Sequence, residues 1–523
     1  MTSNVIVYRD STTKTSLEST TSPLHELKFP GVYLCNHNQV EYSFFQKLTS
    51  FNESWSPAFR GKIVDSFKRQ FIYGENESDE ELSSLVKDIL RTKFNWTEMI
   101  PINEIIAPSC GKDMFLLVRS HEKSISEYEY AYRSPTEEKI CCMIFQHWIM
   151  TEVNKTDDFH SKDFQSSVGI ETVGIAAGVS ILVDLESYDY DGDTAVSTGI
   201  DLVLGHTSEK PIPNSNGLNI APGTETLISF GVTKTYVTEA AKQHLSPLQR
   251  ECYDISEISL TYFRPEYGYK YAMNHCLYES KLQNIMRHCN CTPEFISSTQ
   301  IKIWNITLQT CMGEAMKCSK EWLSLPSSDK LEHLREVKVT ENGVETVKRC
   351  LPSCVINELK TTSSSANYPN FYVFLHGQGP CIIMRKLVRL CTDESFQAKK
   401  EVFEDVYDKL YEFGLKYGKN GSICKGLCEA YEKEKMCNPS PLSVSYDNPL
   451  VIFLFEYAKQ NVLYINVAMR DQFYTKIKKD LEISRLDFFN GVGGMLGLCL
   501  GLSIISVLEV LFHILKFLIQ SDQ

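Results

Sequence analysis

The residues that bear most directly on chemistry lie in one apolar run, residues 488–519. Gly501 and Ser503 flank Leu502 with two small side chains. Small neighbours let backbone carbonyls approach an ion and replace part of its hydration shell, as a conducting pore requires. Gly497 and Gly501 also form a GxxxG pair, and on spacing alone close helix packing is the stronger reading. Glu509 and His513 stand deep in the same run. An intramembrane carboxylate generally faces a bundle interior or a water-filled path, although a Glu–His pair one turn apart is a competing use. Asn490 beside Gly491 reads plainly as a polar helix cap.

To act together these residues need a helix that crosses a bilayer, which takes about twenty mostly apolar residues. Only 488–519 is long and apolar enough. Gly491, Gly493, Gly494, Gly497 and Gly501 crowd its first half, and a lipid-facing anchor would avoid both these glycines and the buried carboxylate. The segment therefore points to the lining of a pore. Cys499 within it is a small apolar filler.

The 523 residues carry a net charge of −13 without a long acidic run, which argues against nucleic-acid binding. No GxSxG, HExxH, P-loop or dinucleotide fingerprint is present, so an enzyme is the weakest class and no cofactor is expected. Of eighteen cysteines most fall between Cys252 and Cys437, with neither repeated CxxC pairs nor histidines at finger spacing. Disulfides are favoured over zinc, and no metal site is expected. Asn52, Asn76, Asn95, Asn154, Asn290, Asn305 and Asn420 each open an Asn-x-Ser/Thr triplet. Seven sequons with abundant cysteine indicate a glycosylated, oxidising exterior. Residues 1–10 hold no signal peptide. The simplest resolution is a membrane helix upstream of Met1, with Val5-Ile6-Val7-Tyr8 as its last turns. Lysines before the apolar run weakly favour the opposite orientation, but the cysteines and sequons outweigh them.

Residues 9–23, rich in Ser and Thr, read as an exposed connector. A strand is predicted at Gly31–Cys35 and helical structure over 60–95, where Leu82, Leu85, Ile89 and Leu90 recur near the 3.6 period. Residues 168–260 alternate as β-structure, and Val462–Val467 form a further strand leading to the membrane segment. In residues 396–417, Phe403, Val406, Leu410, Phe413 and Tyr417 share a helix face. The architecture is mixed α+β, disulfide-braced, on a membrane stem. Glu186, Asp189, Asp191 and Asp193 form a carboxylate run that most simply is a solvated loop, with proton sensing as the alternative.

Gly493-Gly494-Met-Leu-Gly497-Leu-Cys-Leu-Gly501-Leu-Ser503, continuing to Glu509, resembles the second transmembrane helix of the degenerin/epithelial sodium channel superfamily. Phe29-Pro-Gly-Val-Tyr-Leu-Cys35-Asn36 is similar to the stretch following that family's first membrane helix. Ser246-Pro-Leu-Gln-Arg-Glu-Cys252 and Cys350-Leu-Pro-Ser-Cys354 resemble its pickpocket branch. The resemblance implies a β-rich palm with helical finger, thumb and knuckle spanning 9–487, a Cys-rich part at 252–354 and an extended insertion at 360–450. Residues 488–519 would be the pore helix and 520–523 a cytoplasmic stub. It implies that Gly501-Leu502-Ser503 is the selectivity filter, Asn490 the gate position, Gly497 a contact for amiloride-type blockers and Glu509 one copy of a cation-attracting ring. It also implies the pairs Cys252–Cys354, Cys276–Cys350, Cys289–Cys318, Cys291–Cys311 and Cys35–Cys142, or Cys141 in place of Cys142, with Cys110 taking the other. Ser280 and Lys348 stand where the family has a further cysteine pair. Cys381, Cys391, Cys424, Cys428 and Cys437 are additional and unassigned. The function implied is a subunit of a trimeric, sodium-selective, amiloride-sensitive channel in the plasma membrane, in contact with lipid, with Na+ permeant and the extracellular ligand unknown. A non-conducting accessory or receptor-like single-pass protein is the alternative.

Overall fold

The computed structural model describes residues 13–521 except 53, 112, 121–123, 126–130, 137–138, 145–169, 171–172, 206–208, 211–216, 265–268, 325–334, 342–343, 377–378, 411–421, 435–448, 483–484 and 501–503. Asn154, Asn420, Cys437, residues 1–8, and the filter residues Gly501, Leu502 and Ser503 lie outside the described residues.

The frame is an eight-stranded sheet. In spatial order run β1 (Thr13–Pro23), β15 (Phe473–Leu481), β10 (Thr224–Val237), β14 (Val462–Met469), β7 (Val179–Asp184), β3 (Phe115–Ser120) and β4 (Ser124–Ile125). The remaining strand, β13 (Val355–Asn367), pairs antiparallel with β10 from Thr224↔Asn367 to Tyr236↔Val355. On its opposite edge β10 pairs in parallel with two strands in succession, β14 at Glu225–Phe230 and β15 at Thr233–Val237. β14 is apolar on both faces and nearly all buried, as a strand covered on both sides must be.

A second sheet runs β5 (Ala131–Pro135), β6 (Ile140–Ile144), β2 (Gly31–Asn36), β8 (Ile200–Gly205) and β9 (Leu218–Ile220). Val32, Leu34, Ile144 and Leu202 of this sheet join Ile181, Phe230, Ile465 and Val467 of the first in one core. Gly178 lets β7 begin against β14, because a Cβ there would stand 2.2 Å from the Val467 carbonyl oxygen.

Three helical modules surround the sheets. The first holds α1 (Tyr42–Thr49), α2 (Pro57–Lys68), α3 (Glu80–Phe94) and α4 (Asn103–Ile106), closed on Phe44, Phe45, Phe67, Phe71 and Trp96. Ser56 and Asp79 cap α2 and α3, with Pro57 opening α2. After the short α5 (Glu239–His244) and α6 (Pro247–Arg250), the second packs α7 (Met273–Cys289), α8 (Ser298–Ile303) and α9 (Glu314–Leu323) against the hairpin of β11 (Glu336–Glu341) and β12 (Val344–Arg349). The third is α10 (Phe371–His376), α11 (Gly379–Thr392), α12 (Gln397–Leu410), α13 (Ile423–Glu434) and α14 (Pro449–Asn461). The chain ends in α15 (Arg485–Leu500) and α16 (Ile504–Ser521).

Two expectations are corrected. Residues 13–23 are not a connector but β1, laid antiparallel along β15 from Thr13↔Leu481 to Pro23↔Phe473. Its serines and threonines suit a strand with exposed faces, and partner pairing decides where composition alone reads as loop. Cys35 bonds Cys141 rather than Cys142. In the β2–β6 ladder Cys35 lies directly opposite Cys141, with Cα atoms 4.1 Å apart, while Cys142 opposes Leu34. Successive strand residues face opposite sides, so Cys142 turns into the core and meets Cys110.

Cys252–Cys354, Cys276–Cys350, Cys289–Cys318 and Cys291–Cys311 brace the second helical module, and Cys391–Cys424 ties α11 to α13 in the third. Cys381 is also disulfide-bonded. Non-reducing peptide mapping is expected to recover one three-peptide assembly, in which the peptide carrying both Cys141 and Cys142 is joined to the Cys35 peptide and to the Cys110 peptide. Backbone fragmentation between residues 141 and 142 should assign Cys35 to Cys141 and Cys110 to Cys142. Replacing Cys391 and Cys424 together by alanine should lower the stability of the third module by about 2–4 kcal/mol, read by thermal unfolding.

Candidate functional site

The apolar run is helical on both sides of residues 501–503, as α15 up to Leu500 and as α16 from Ile504. Among the described residues no helix is long and apolar enough to cross a membrane by itself. Asn490 is exposed within α15, one turn beyond its start, so it is not a helix cap. Gly497 is exposed on the same helix, and a Cβ at Gly491, Gly493 or Gly494 would meet nothing within 4 Å. Among the described residues, nothing packs against Gly491, Gly493 or Gly494. On α16, Ile505, Leu508, Val510, Leu511, Phe512 and Ile514 are exposed around most of the circumference. So broad an exposed apolar arc suits an apolar surrounding, either lipid or other helices, while Ser506, Glu509 and His513 share the remaining side. Glu509 is exposed among them and forms no ion pair with His513 among the described residues; the His513 ring lies against Phe512.

A second constellation lies at the end of β7, where the first and third helical modules meet the eight-stranded sheet. Asp184, at the end of β7, accepts hydrogen bonds from Lys386 Nζ on α11 at 2.6 Å and from the Tyr457 hydroxyl on α14 at 2.8 Å. Lys386 also contacts Glu186 at 2.9 Å, and the other oxygen of Glu186 takes Lys399 of α12 at 2.6 Å. Lys399 reaches Glu41, just before α1, at 2.7 Å. Asp189 accepts from the Ser43 backbone N–H at 2.6 Å and from its hydroxyl at 2.7 Å. Lys68 of α2 joins Asp191 at 3.0 Å and Asp193 at 2.6 Å. Glu186 holds a left-handed backbone at φ 51°, a conformation costly for a residue with a Cβ and fixed here by the two lysines.

Of the carboxylate run only Asp193 is exposed as a solvated loop would have it; Asp189 and Asp191 are buried, and Glu186 is held between two lysines. Burial raises the Asp184 carboxyl, with Lys386 opposing. Burial would raise Glu186 too, but Lys386 and Lys399 prevail and hold it at about 2. Asp189 is pushed up to about 7 by burial, assisted by Glu41 and opposed by Lys399 and Ser43. Four carboxylates (Glu41, Asp184, Glu186, Asp189) thus face two buried lysines.

The family description "Amiloride-sensitive sodium channel" matches residues 1–513. The chain belongs to that family. "Sodium channel protein Nach" of Drosophila ananassae is 22% identical over 301 residues, covering 55% of this chain and 52% of the relative. The Drosophila melanogaster protein of that name is 22% identical over 310 residues, covering 55% and 54%. The chain spans about half the length of these curated relatives. The amiloride-sensitive sodium channel family comprises ion channels, not enzymes.

Ser280 and Lys348, at the two positions where the resemblance implies a further cysteine pair, make separate polar contacts. Ser280 donates to the Glu336 carbonyl at 2.6 Å and Lys348 to the Glu257 carbonyl at 3.2 Å. Sequence reasoning found the acidic loop of the hub but missed Lys386, Lys399, Glu41 and Tyr457. A signal existed: Lys386 falls among Ile383, Met384 and Leu387 on the buried face of α11, where a lysine needs a partner.

The hub generates two predictions. Lys386→Met should destabilise the protein by about 3–5 kcal/mol, because Asp184 and Glu186 would be left buried without their shared cation. Pairing it with Asp184→Asn should recover part of that loss in thermal unfolding. Asp189 keeps its proton in the folded state up to about pH 7, whereas an unfolded aspartate releases it near 3.8. The folded state then binds more protons over that interval, so the contribution of Asp189 to stability falls as pH rises from about 4 to 7. Glu186 acts oppositely and below that window, its contribution being lost as pH drops from about 4.5 to 2. Unfolding midpoints of Asp189→Asn between pH 4.5 and 7.5 should therefore decline less with pH than those of the parent.

Proposed function

We propose that the chain is a subunit of a trimeric, sodium-selective, amiloride-sensitive cation channel of the plasma membrane, opened by an extracellular stimulus. The match to the amiloride-sensitive sodium channel family over residues 1–513 carries this reading. The C-terminal helices support it physically, since α16 exposes a broad apolar arc and, among the described residues, nothing packs on Gly491, Gly493 or Gly494 of α15. In this arrangement α15, residues 501–503 and α16 cross the bilayer together, in contact with lipid and with the helices of two further subunits.

Gly501-Leu502-Ser503 act as the filter, with backbone carbonyls replacing water around Na+. Asn490 serves as the gate position, Gly497 contacts the blocker, and three copies of Glu509 form a ring that concentrates cations below the filter. The sheets and helical modules, residues 9–487, face outward as a glycoprotein. Asn52, Asn76, Asn95, Asn290 and Asn305 are all exposed, which suits carbohydrate attachment.

Current recording from oocytes expressing the full-length transcript, alone and with candidate partner subunits, tests this reading. Gly501→Arg should abolish sodium current while leaving surface expression intact. Asn490→Phe should raise the resting current, and a bulkier residue at Gly497 should raise the half-blocking amiloride concentration by roughly tenfold, the loss of a contact of about 1.4 kcal/mol. Surface expression without current in every subunit combination would instead support the non-conducting accessory role.

A further inference from the structure

Asn52 lies in the turn after α1, within the triplet Asn52-Glu53-Ser54. Its side-chain carbonyl oxygen accepts the Ser54 backbone N–H at 3.0 Å and the Ser54 hydroxyl at 2.7 Å. Both bonds fall on the oxygen, so the amide is fixed while its nitrogen has no partner among the described residues and is exposed. Beside it stands a ledge of aromatic rings. Phe51 is 41% exposed and stacks on Trp55 with centroids 5.9 Å apart and planes 30° apart. Trp55 in turn meets Phe59 edge-on at 5.5 Å. Lys93 of α3, in the same module, approaches the Phe51 ring at 5.9 Å and donates to the Lys47 carbonyl and the Ser50 hydroxyl.

An exposed phenyl ring held this firmly next to a glycan acceptor has a natural occupant. The apolar C–H face of a pyranose ring is complementary to the electron-rich face of an aromatic ring, and Asn52 directly follows the exposed Phe51 in sequence. We propose that Asn52 is N-glycosylated and that its first N-acetylglucosamine packs on the Phe51–Trp55 ledge, ordering the turn between α1 and α2. In the transfer, Nδ2 forms a bond to C1 of a lipid-diphosphate-linked N-acetylglucosamine. The C1–O bond breaks, the lipid diphosphate leaves with the electron pair, and the Nδ2 proton passes to a base of the transferase. The other described sequons differ from this one. Asn290 sits between two disulfide cysteines, and the side-chain oxygen of Asn76 accepts the Glu314 N–H at 3.4 Å instead of forming a turn of its own.

The assignment rests on the outward orientation of residues 9–487, and the test separates the two. The full-length chain is expressed in insect cells and its glycopeptides are mapped by mass spectrometry. Hydrogen exchange in residues 47–59 is then compared among intact protein, protein trimmed to the first sugar by an endoglycosidase, and protein stripped by an amidase. Occupancy at Asn52 is expected, with exchange in the turn slowed roughly two- to tenfold by the first sugar alone, the range a single aromatic contact supplies. Stripping should remove that protection. Phe51→Leu, which keeps apolar bulk without a ring, should lose it as well, and Phe51→Tyr should keep it. Occupancy at Asn290 or Asn305 with none at Asn52 overturns the assignment and leaves the orientation standing. Absence of glycan at every sequon overturns both. Protection that survives Phe51→Leu unchanged overturns the packing.

Discussion

The meeting of the first and third helical modules with the eight-stranded sheet depends on two lysines taken out of water. Lys386 and Lys399 come from neighbouring helices of one module, Asp184 and Glu186 follow a central strand, and Glu41 stands at the entrance to another module. Burying such charges is expensive, and only near-complete pairing makes it tolerable. The pairing is available in a single relative placement of α11, α12, the 184–191 loop and α1. The hub therefore specifies how the modules sit together, which greasy packing between them would do far less sharply. The aromatic box of Tyr188, Phe403, Tyr407 and Tyr457 beside it excludes water and keeps those charges strong.

What could be read in the sequence depended on whether the signal was local. Strands β2, β7 and β14 announce themselves by β-branched alternation or by continuous apolar runs, and α3 and α12 by their apolar stripes. β1 was hidden because its Ser/Thr composition suits a loop equally well, and only the distant β15 makes it a strand. The choice between Cys141 and Cys142 was likewise invisible, since adjacent residues differ only in the face they occupy and the register that decides lies in the β2–β6 ladder. The acidic loop was conspicuous, but its meaning was carried by lysines some 200 residues away. The residues of the C-terminal run were legible as types, while their roles came from resemblance rather than from spacing.

The C-terminal helices differ from the rest of the chain in the surface they present. The sheets and modules bury most of their large apolar side chains, whereas α16 exposes Ile505, Leu508, Val510, Leu511, Phe512 and Ile514 in one broad arc, and α15 exposes Phe489. In the proposed arrangement that arc faces lipid or other helices, and the open glycines of α15 would let a neighbouring helix approach closely.

The double pairing of β10 carries a mechanical consequence. It runs parallel to β14 and then to β15, and β15 leads directly toward α15, while β1 lies antiparallel along β15. A tug on the final helices along the strand direction would load these ladders in shear, with many hydrogen bonds resisting at once instead of opening singly like a zipper. Such a joint is stiff lengthwise and yields mainly to twisting. Movement passing between the sheet and the last helices would therefore travel as a rotation of the strands more readily than as a stretch.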